Sequence, residues 1–167
     1  MSAKPPVKPP AMKFPRPAAL DPADFRTVVR LVPLVSIDLI IRNPHDEVLL
    51  GLRNNEPAKG FYFVPGGIVL KHERLGDAFA RILKRETNYD ARLEDARLVG
   101  AYEHLYDANS FGDANFGTHY VVLAHELKLA DASALKSDAQ HSELGWWRER
   151  DLLASDRVHD NTKAYFR

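Results

Sequence analysis

The amino-acid sequence predicts an α+β fold in which a mixed β-sheet is flanked by helices, an α/β/α sandwich. Beyond residue 33, β-rich runs alternate with clusters of turn-forming residues, a pattern typical of sheet strands. One long amphipathic helix follows a pair of glycines, Gly66 and Gly67. With 167 residues and 45% apolar content, the chain has material for one packed domain and too little for two.

The N-terminal segment, residues 1–20, is predicted to be a disordered, proline-rich arm. Seven of the eleven prolines fall within the first 22 residues, where they remove backbone donors and favour extended conformations. The folded domain is therefore expected to span residues 21–167.

The first two strands are predicted to form a β-hairpin. The run LVSIDLIIRN, residues 34–43, ends in the turn cluster formed by residues 43–46, and EVLLGLR then resumes as a strand. The helix is predicted from an apolar stripe at helical spacing and is expected to end near Asn88, a residue that tolerates left-handed backbone. The stripe consists of Leu75, Ala78, Phe79, Ile82 and Leu83.

The second half of the chain is predicted to contain three strands and a short helix. The strands cover residues 97–105, 118–129 and 144–147, and the helix lies near residues 150–153. A loop rich in Gly, Asn and Asp separates the first two of these strands.

Composition argues against several classes of protein. The 23 basic and 23 acidic residues balance, and the chain has no dense Lys/Arg run, so a nucleic-acid partner is not expected. No apolar run is long enough to cross a membrane and the N-terminus lacks a secretory signal, which predicts a cytoplasmic protein. Since cysteine is absent, any metal must be held by oxygen or histidine nitrogen.

The stretch FVPGGIVLKHERLGDAFARILKRETNY, residues 63–89, resembles the signature of the Nudix hydrolase family. The positions that fit its spacing are Gly67, Glu73, Arg81, Leu83 and Glu86. Three positions depart from it, because Ile82, Arg85 and Asn88 stand where the family usually has Glu, Glu and Gly. The resemblance implies the Nudix sandwich and a divalent metal ion bound near the glycine turn.

The helical spacing places positions 82, 85 and 86 on one face, where only Glu86 can be a carboxylate ligand. This predicts a single metal ion, although Glu86 could also be an ordinary solvated carboxylate at the end of a helix. Glu73 and Arg81 are interpreted as a structural pair, with Asp77 between them at i, i+4 spacing.

A narrower resemblance, to the GDP-mannose mannosyl hydrolases, covers nearly everything after the arm. The segments that carry it include DFRTVVR, PLVSIDLI, LLGLRNNEPAKGFYFVPGG, HLYD, THYVVL and LLASDRVHDNTKAYF. It implies a nucleotide-sugar substrate and attack of water at sugar C1 with inversion, so that GDP is released. It also implies a homodimer that uses the segment DFRTVVR.

This resemblance assigns roles to particular residues. One Mg²⁺, replaceable by Mn²⁺, would be held by the carbonyl of Gly66 together with Glu86 and Gln140, an all-oxygen set. The general base would be His141. The remaining catalytic or substrate-contacting residues would be Arg53, Arg81, Asp38, Tyr120 and His104. Without the resemblance, His141 and Arg53 could be surface residues and His104 a hydrogen-bonded core histidine.

Ile68 departs from these mannosyl hydrolases, which carry an arginine there that assists the departing diphosphate. Arg81, Arg53 or Lys71 could compensate for the missing charge. Two other functions therefore stay open beside the glycosyl hydrolase. One is a pyrophosphohydrolase that cleaves the diphosphate, and the other is a non-catalytic nucleotide-sugar-binding domain.

Overall fold

The computed structural model describes residue 15, residues 17–131 and residues 141–167, with backbone only for residues 141–143. The predicted arm therefore lies mostly outside the described residues, and so does Gln140. The helices are Pro22–Leu31 (α1), Leu75–Thr87 (α2), Glu149–Ala154 (α3) and Asp160–Lys163 (α4), with short 3₁₀ turns at Leu93–Asp95 and Ala164–Phe166. The strands are Leu34–Arg42 (β1), Val48–Arg53 (β2), Tyr62–Phe63 (β3), Gly66–Ile68 (β4), Arg97–Tyr106 (β5), Thr118–Lys128 (β6) and His141–Trp147 (β7).

The seven strands form one mixed sheet. Its main order is β3-β2-β1-β6-β5, with β4 paired to β1 and β7 paired to β2. The pairing of β1 with β6 is parallel, whereas the other strand pairs are antiparallel. The predicted mixed sheet flanked by helices is thus confirmed.

The predicted β1–β2 hairpin is only partly formed. The turn closes, but the two strands pair at a single position, Arg42 opposite Val48. Along the part of β1 that β2 does not pair with, the three-residue strand β4 pairs with β1 instead. In this pairing Gly66 lies opposite Asp38. This separation of β1 from β2 brings the glycine turn beside the carboxylate of the first strand.

Alternate residues of β1 face two separate layers of the core. Ile37, Leu39 and Ile41 pack against α2, whereas Ile40 packs on the opposite face against α3 and the C-terminal segment. Side chains of a strand alternate between the two faces of a sheet, so Asp38 lies on the face of Ile40. The sheet therefore lies between α2 on one side and the C-terminal helices on the other.

Helix α2 confirms the prediction from apolar spacing, including its end. Asn88 follows the helix with φ 57° and ψ 17°, in the left-handed region. The helix starts at Leu75, however, so Glu73 precedes it and the expected i, i+4 ladder from Glu73 through Asp77 does not form. Glu73 instead reaches Arg81 from the loop before the helix.

Helix α1 contains the segment DFRTVVR. Asp21 accepts hydrogen bonds from the backbone amides of Ala23 and Asp24 and so caps the helix. Phe25 packs on Phe111 with ring centroids 5.8 Å apart, which holds α1 against the loop between β5 and β6. In the described part of the chain, no helix combines the length and apolar character needed to cross a bilayer.

Candidate active site

A cavity of about 300 Å³ opens where β1, β4, β5 and β6 meet the end of β2. It is lined by Ser36, Asp38, Arg53, Asn54, Asn55, Phe63, Val64, Gly66, Gly67, Ile68, Arg85, His104, Tyr106 and Tyr120. Five of the residues predicted for the site thus come together here, namely Asp38, Arg53, Gly66, His104 and Tyr120.

Asp38 lies at the base of this cavity and receives one short hydrogen bond. The phenol of Tyr165 donates to its Oδ2 over 2.6 Å. Burial raises the pKa of Asp38 to about 6, although the bond from Tyr165 and the charge of Arg53 both pull it down. A carboxyl group with this pKa is mostly ionised at neutral pH and can accept a proton during a reaction.

His104 extends this contact into a chain of three groups. Its Nε2 lies 3.2 Å from the Tyr165 oxygen. Burial lowers the pKa of His104 to about 4, helped by the nearby His159, so the imidazole is neutral. Since the single phenol proton goes to Asp38, His104 donates from Nε2 to Tyr165, which fixes its tautomer. The predicted core-histidine alternative and the site assignment of His104 are therefore both compatible with its position.

Arg53 supplies positive charge at the rim of the cavity. Its guanidinium lies over the ring of Phe63, 5.2 Å from the ring centroid. Phe63 also stacks with His159, with the ring centroids 4.7 Å apart. Such stacking orients the planar guanidinium, which can then receive an anionic group of a ligand.

Two phenol groups face the same space. Burial raises the pKa of Tyr106 to about 12, and it also raises the pKa of Tyr120. Both groups therefore remain protonated at neutral pH and can donate hydrogen bonds to a bound ligand.

The glycine turn approaches its neighbours so closely that a side chain is excluded at Gly66 and would displace Arg85 at Gly67. A Cβ at Gly66 would lie 2.5 Å from Oδ1 of Asp38 and 2.9 Å from the carbonyl oxygen of Ile37. A Cβ at Gly67 would lie 2.8 Å from Nη2 of Arg85. The glycine pair therefore leaves room for both a carboxylate and a guanidinium.

The predicted metal site contains a side-chain cation instead. Nη2 of Arg85 lies 2.5 Å from Oε1 of the buried Glu86 and 3.5 Å from the carbonyl oxygen of Gly66. Between these two oxygens a divalent ion does not fit while Arg85 is in this position, because the guanidinium occupies the space and repels another cation. Among the side chains that the structure describes, which stop at residue 131 and resume at residue 144, no three of His, Cys, Asp or Glu cluster as a metal site.

Arg81 does not line the cavity, which departs from its predicted catalytic place. It binds Glu73 through two nitrogens, at 2.6 and 2.8 Å, and also donates to the carbonyl oxygen of Ile68 at 2.8 Å. Glu73 in turn accepts from the backbone amide of Leu70 at 2.8 Å. This pair fixes the loop between β4 and α2, as the structural interpretation of Glu73 and Arg81 expected.

The backbone places His141 next to the site. It is the first residue of β7 and pairs with Arg53 across a register shift in β2. Gln140, predicted as a metal ligand, lies outside the described residues. Lys71 lines a different groove, beside α1, so it does not compensate for Ile68 in this cavity.

Four groups of the site escaped sequence reasoning. Tyr106 lies at the end of β5, Tyr165 lies in the 3₁₀ turn Ala164–Phe166, and His159 directly precedes α4. The sequence presents Arg85 only as the position of a lost carboxylate. The sequence offered one signal for Tyr165, since a carboxylate in an apolar strand such as Asp38 requires a donor. That signal does not say which residue supplies the donor.

Comparison with known proteins identifies the family. A family model described as the NUDIX domain matches residues 32–167. The low-salt glycan biosynthesis protein Agl8 of Haloferax volcanii is 43% identical over 121 residues, which cover 72% of this chain and 74% of that protein.

Solved structures show the same fold. The MutT protein of Methanosarcina mazei Go1 superposes with a TM-score of 0.67 at 20% identity, over 81% of this chain and 92% of its own. The NUDIX domain of NrtR from Shewanella oneidensis, solved in complex with ADP ribose, has a TM-score of 0.60 at 19% identity, over 88% and 97%. The match over most of the chain, together with the 43% identical relative, shows that this protein belongs to the Nudix hydrolase family.

Proposed function

We propose that the protein hydrolyses a GDP-sugar such as GDP-mannose at sugar C1, with inversion, to release GDP and the free sugar. One observation carries this proposal. A carboxylate with a pKa near 6, Asp38, shares a cavity with two guanidinium groups, those of Arg53 and Arg85. The cations suit a diphosphate, and the carboxylate suits the uncharged, hydroxyl-rich sugar.

The comparisons support a sugar-containing nucleotide as the substrate. The Haloferax relative is named for glycan biosynthesis, and the NrtR domain was solved with ADP ribose, a nucleoside diphosphate joined to a sugar. These are properties of those proteins. They agree with the mixture of cationic and hydroxyl-binding groups in this cavity.

In the proposed reaction, Arg53 binds the diphosphate and Tyr120 and His104 orient the substrate. A base removes a proton from water, the water oxygen bonds to C1, and the C1–O bond to the diphosphate breaks with its electron pair leaving on GDP. We assign the base to His141, whose backbone adjoins Arg53, with Asp38 orienting the sugar hydroxyls. Positive charge near the leaving oxygen stabilises the transition state.

Nudix hydrolases generally use divalent ions such as Mg²⁺, which supply positive charge to bound phosphates. The sequence predicts a single Mg²⁺ held by Gly66, Glu86 and Gln140, but the residues present do not fit an ion between Gly66 and Glu86. Because Arg85 occupies the space between Gly66 and Glu86, the steps above use side chains alone.

The test is hydrolysis of a panel of GDP-sugars in water labelled with heavy oxygen, followed by proton NMR and mass spectrometry. The proposal expects the label in the sugar and an inverted anomer. Label in a phosphate product would instead show a pyrophosphohydrolase, the second function that the family makes available. Tight GDP binding with no turnover of any sugar in the panel would refute both enzymatic functions.

We also propose that the protein is a homodimer. The end of α1 and the start of β1 expose Leu31, Val32 and Val35, which are 61%, 49% and 45% accessible. Adjacent exposed apolar side chains of this kind favour contact with another protein surface. Sedimentation of a monomer at micromolar protein concentration would contradict this assignment.

A further inference from the structure

We propose that Arg85 is a built-in cation of this site, which binds the diphosphate of the substrate in the place expected for a divalent ion. This inference rests on the proposed function for the identity of the ligand. It follows from where the guanidinium lies, because two oxygens expected to hold a metal ion both face it.

The contacts of Arg85 hold it in this position. Its Nε and Nη2 both donate to Oε1 of Glu86, at 2.8 and 2.5 Å, and Nη2 also approaches the carbonyl oxygen of Gly66. Gly67 lacks the Cβ that would collide with Nη2. Arg85 is therefore held by an ion pair with a fully buried carboxylate, and the missing side chain at Gly67 leaves room for its guanidinium.

The guanidinium retains donors for a ligand. Its side chain is 42% exposed and lines the cavity that Asp38 and Arg53 share. Within the part of the chain that the structure describes, Nη1 makes no hydrogen bond. A guanidinium has five N–H donors. Since Nε and Nη2 of Arg85 donate to protein oxygens, the N–H groups of Nη1 can donate to a phosphate oxygen.

An ordinary helix-end charge would behave differently. The neighbouring Lys84 provides that comparison, because it also lies in the last turn of α2 but pairs with the exposed Asp90 at 2.6 Å, outside the cavity. Arg85 instead turns back over Glu86 and into the cavity. Loss of the carboxylate at this position therefore coincides with gain of a permanent positive charge at the same place.

The experiment measures binding of GDP by calorimetry, in EDTA and in excess Mg²⁺. The wild-type protein is expected to bind GDP in EDTA with an affinity within about threefold of that in Mg²⁺, since Arg85 and Arg53 already supply the charge. Arg85→Gln keeps a donor for Glu86 but removes the charge. It should weaken binding in EDTA by about ten- to hundredfold, the range for a lost charge-assisted hydrogen bond.

Lys84→Gln is the matched control, because it removes the same charge one residue away and should leave GDP binding unchanged. Arg85→Glu reverses the charge and should abolish GDP binding in EDTA. With a carboxylate beside Glu86, the same variant should bind Mg²⁺ alone at this site, whereas the wild-type protein should not.

Three results would overturn the inference: GDP binding by the wild type that requires Mg²⁺, equal effects of Arg85→Gln and Lys84→Gln, or no Mg²⁺ binding by Arg85→Glu. If the variants do not fold, the arginine Nε–H resonance of Arg85 in the wild type gives the answer, because GDP in EDTA must shift it. Absence of GDP-sugar turnover with intact Arg85-dependent binding would remove the proposed function and leave this inference standing.

Discussion

Tyr165→Phe should raise the pKa of Asp38, because it deletes the hydroxyl that stabilises the ionised carboxylate. The bond is 2.6 Å long and charge-assisted, so its loss costs the carboxylate about 1.5–3 kcal/mol. One pKa unit corresponds to about 1.4 kcal/mol, which gives a shift of one to two units. Because Asp38 lines the open cavity and is only partly shielded from water, we expect the lower end of this range, a rise of about one unit.

The direct assay is carbon NMR titration of the Asp38 carboxyl group in the free protein. The acid limb of kcat/KM on a GDP-sugar should move to higher pH by the same amount if ionised Asp38 is required for the reaction. Tyr102→Phe is the matched control, since its ring lies 4.7 Å from that of Tyr165 and it makes no bond to Asp38. An unchanged Asp38 titration in a folded Tyr165→Phe variant would refute the reasoning.

Three further changes test other parts of the site. Arg53→Met should raise KM for a GDP-sugar about tenfold or more with little change in Tm, because the guanidinium lies at the rim over Phe63; an unchanged KM would contradict its role. Glu86→Gln should abolish turnover, because ionised Glu86 holds the guanidinium of Arg85 in the cavity. Glu73→Gln should mainly lower the unfolding free energy, by about 1–3 kcal/mol, through loss of its pairing with Arg81. A larger loss of activity in Glu73→Gln than in Glu86→Gln would contradict both expectations. Ile68→Arg should raise kcat on GDP-mannose about tenfold by adding charge near the leaving group; a lower kcat at unaltered Tm would show that the apolar side chain is required there.

The sequence predicts the parts of this fold whose signals are local. The apolar spacing of α2 and the left-handed residue after it, Asn88, are confirmed. The predicted pairing of β1 with β2 is wrong at all but one position, because β4, which comes later in the chain, pairs with β1 instead. A three-residue strand such as β4 is too short to carry a periodic signal.

The same limit applies to the site. Asp38, Arg53, His104 and Tyr120 were expected from the resemblance, and the structure brings them to one cavity. Tyr165 could not be placed, because it lies in a three-residue 3₁₀ turn that no periodicity predicts. The spacing of the Nudix signature shows that position 85 lacks the usual glutamate. It does not show in which direction the side chain of Arg85 lies.

The hydrogen bond between Tyr165 and Asp38 also affects the stage of protein synthesis at which the cavity is complete. The two residues are 127 positions apart, and Asp38 lies on β1, which pairs with β6. Contacts between such distant segments form late and slow the folding of a domain. A nascent chain that stops short of Tyr165 therefore contains both β1 and β6 while Asp38 still lacks its hydrogen-bond donor.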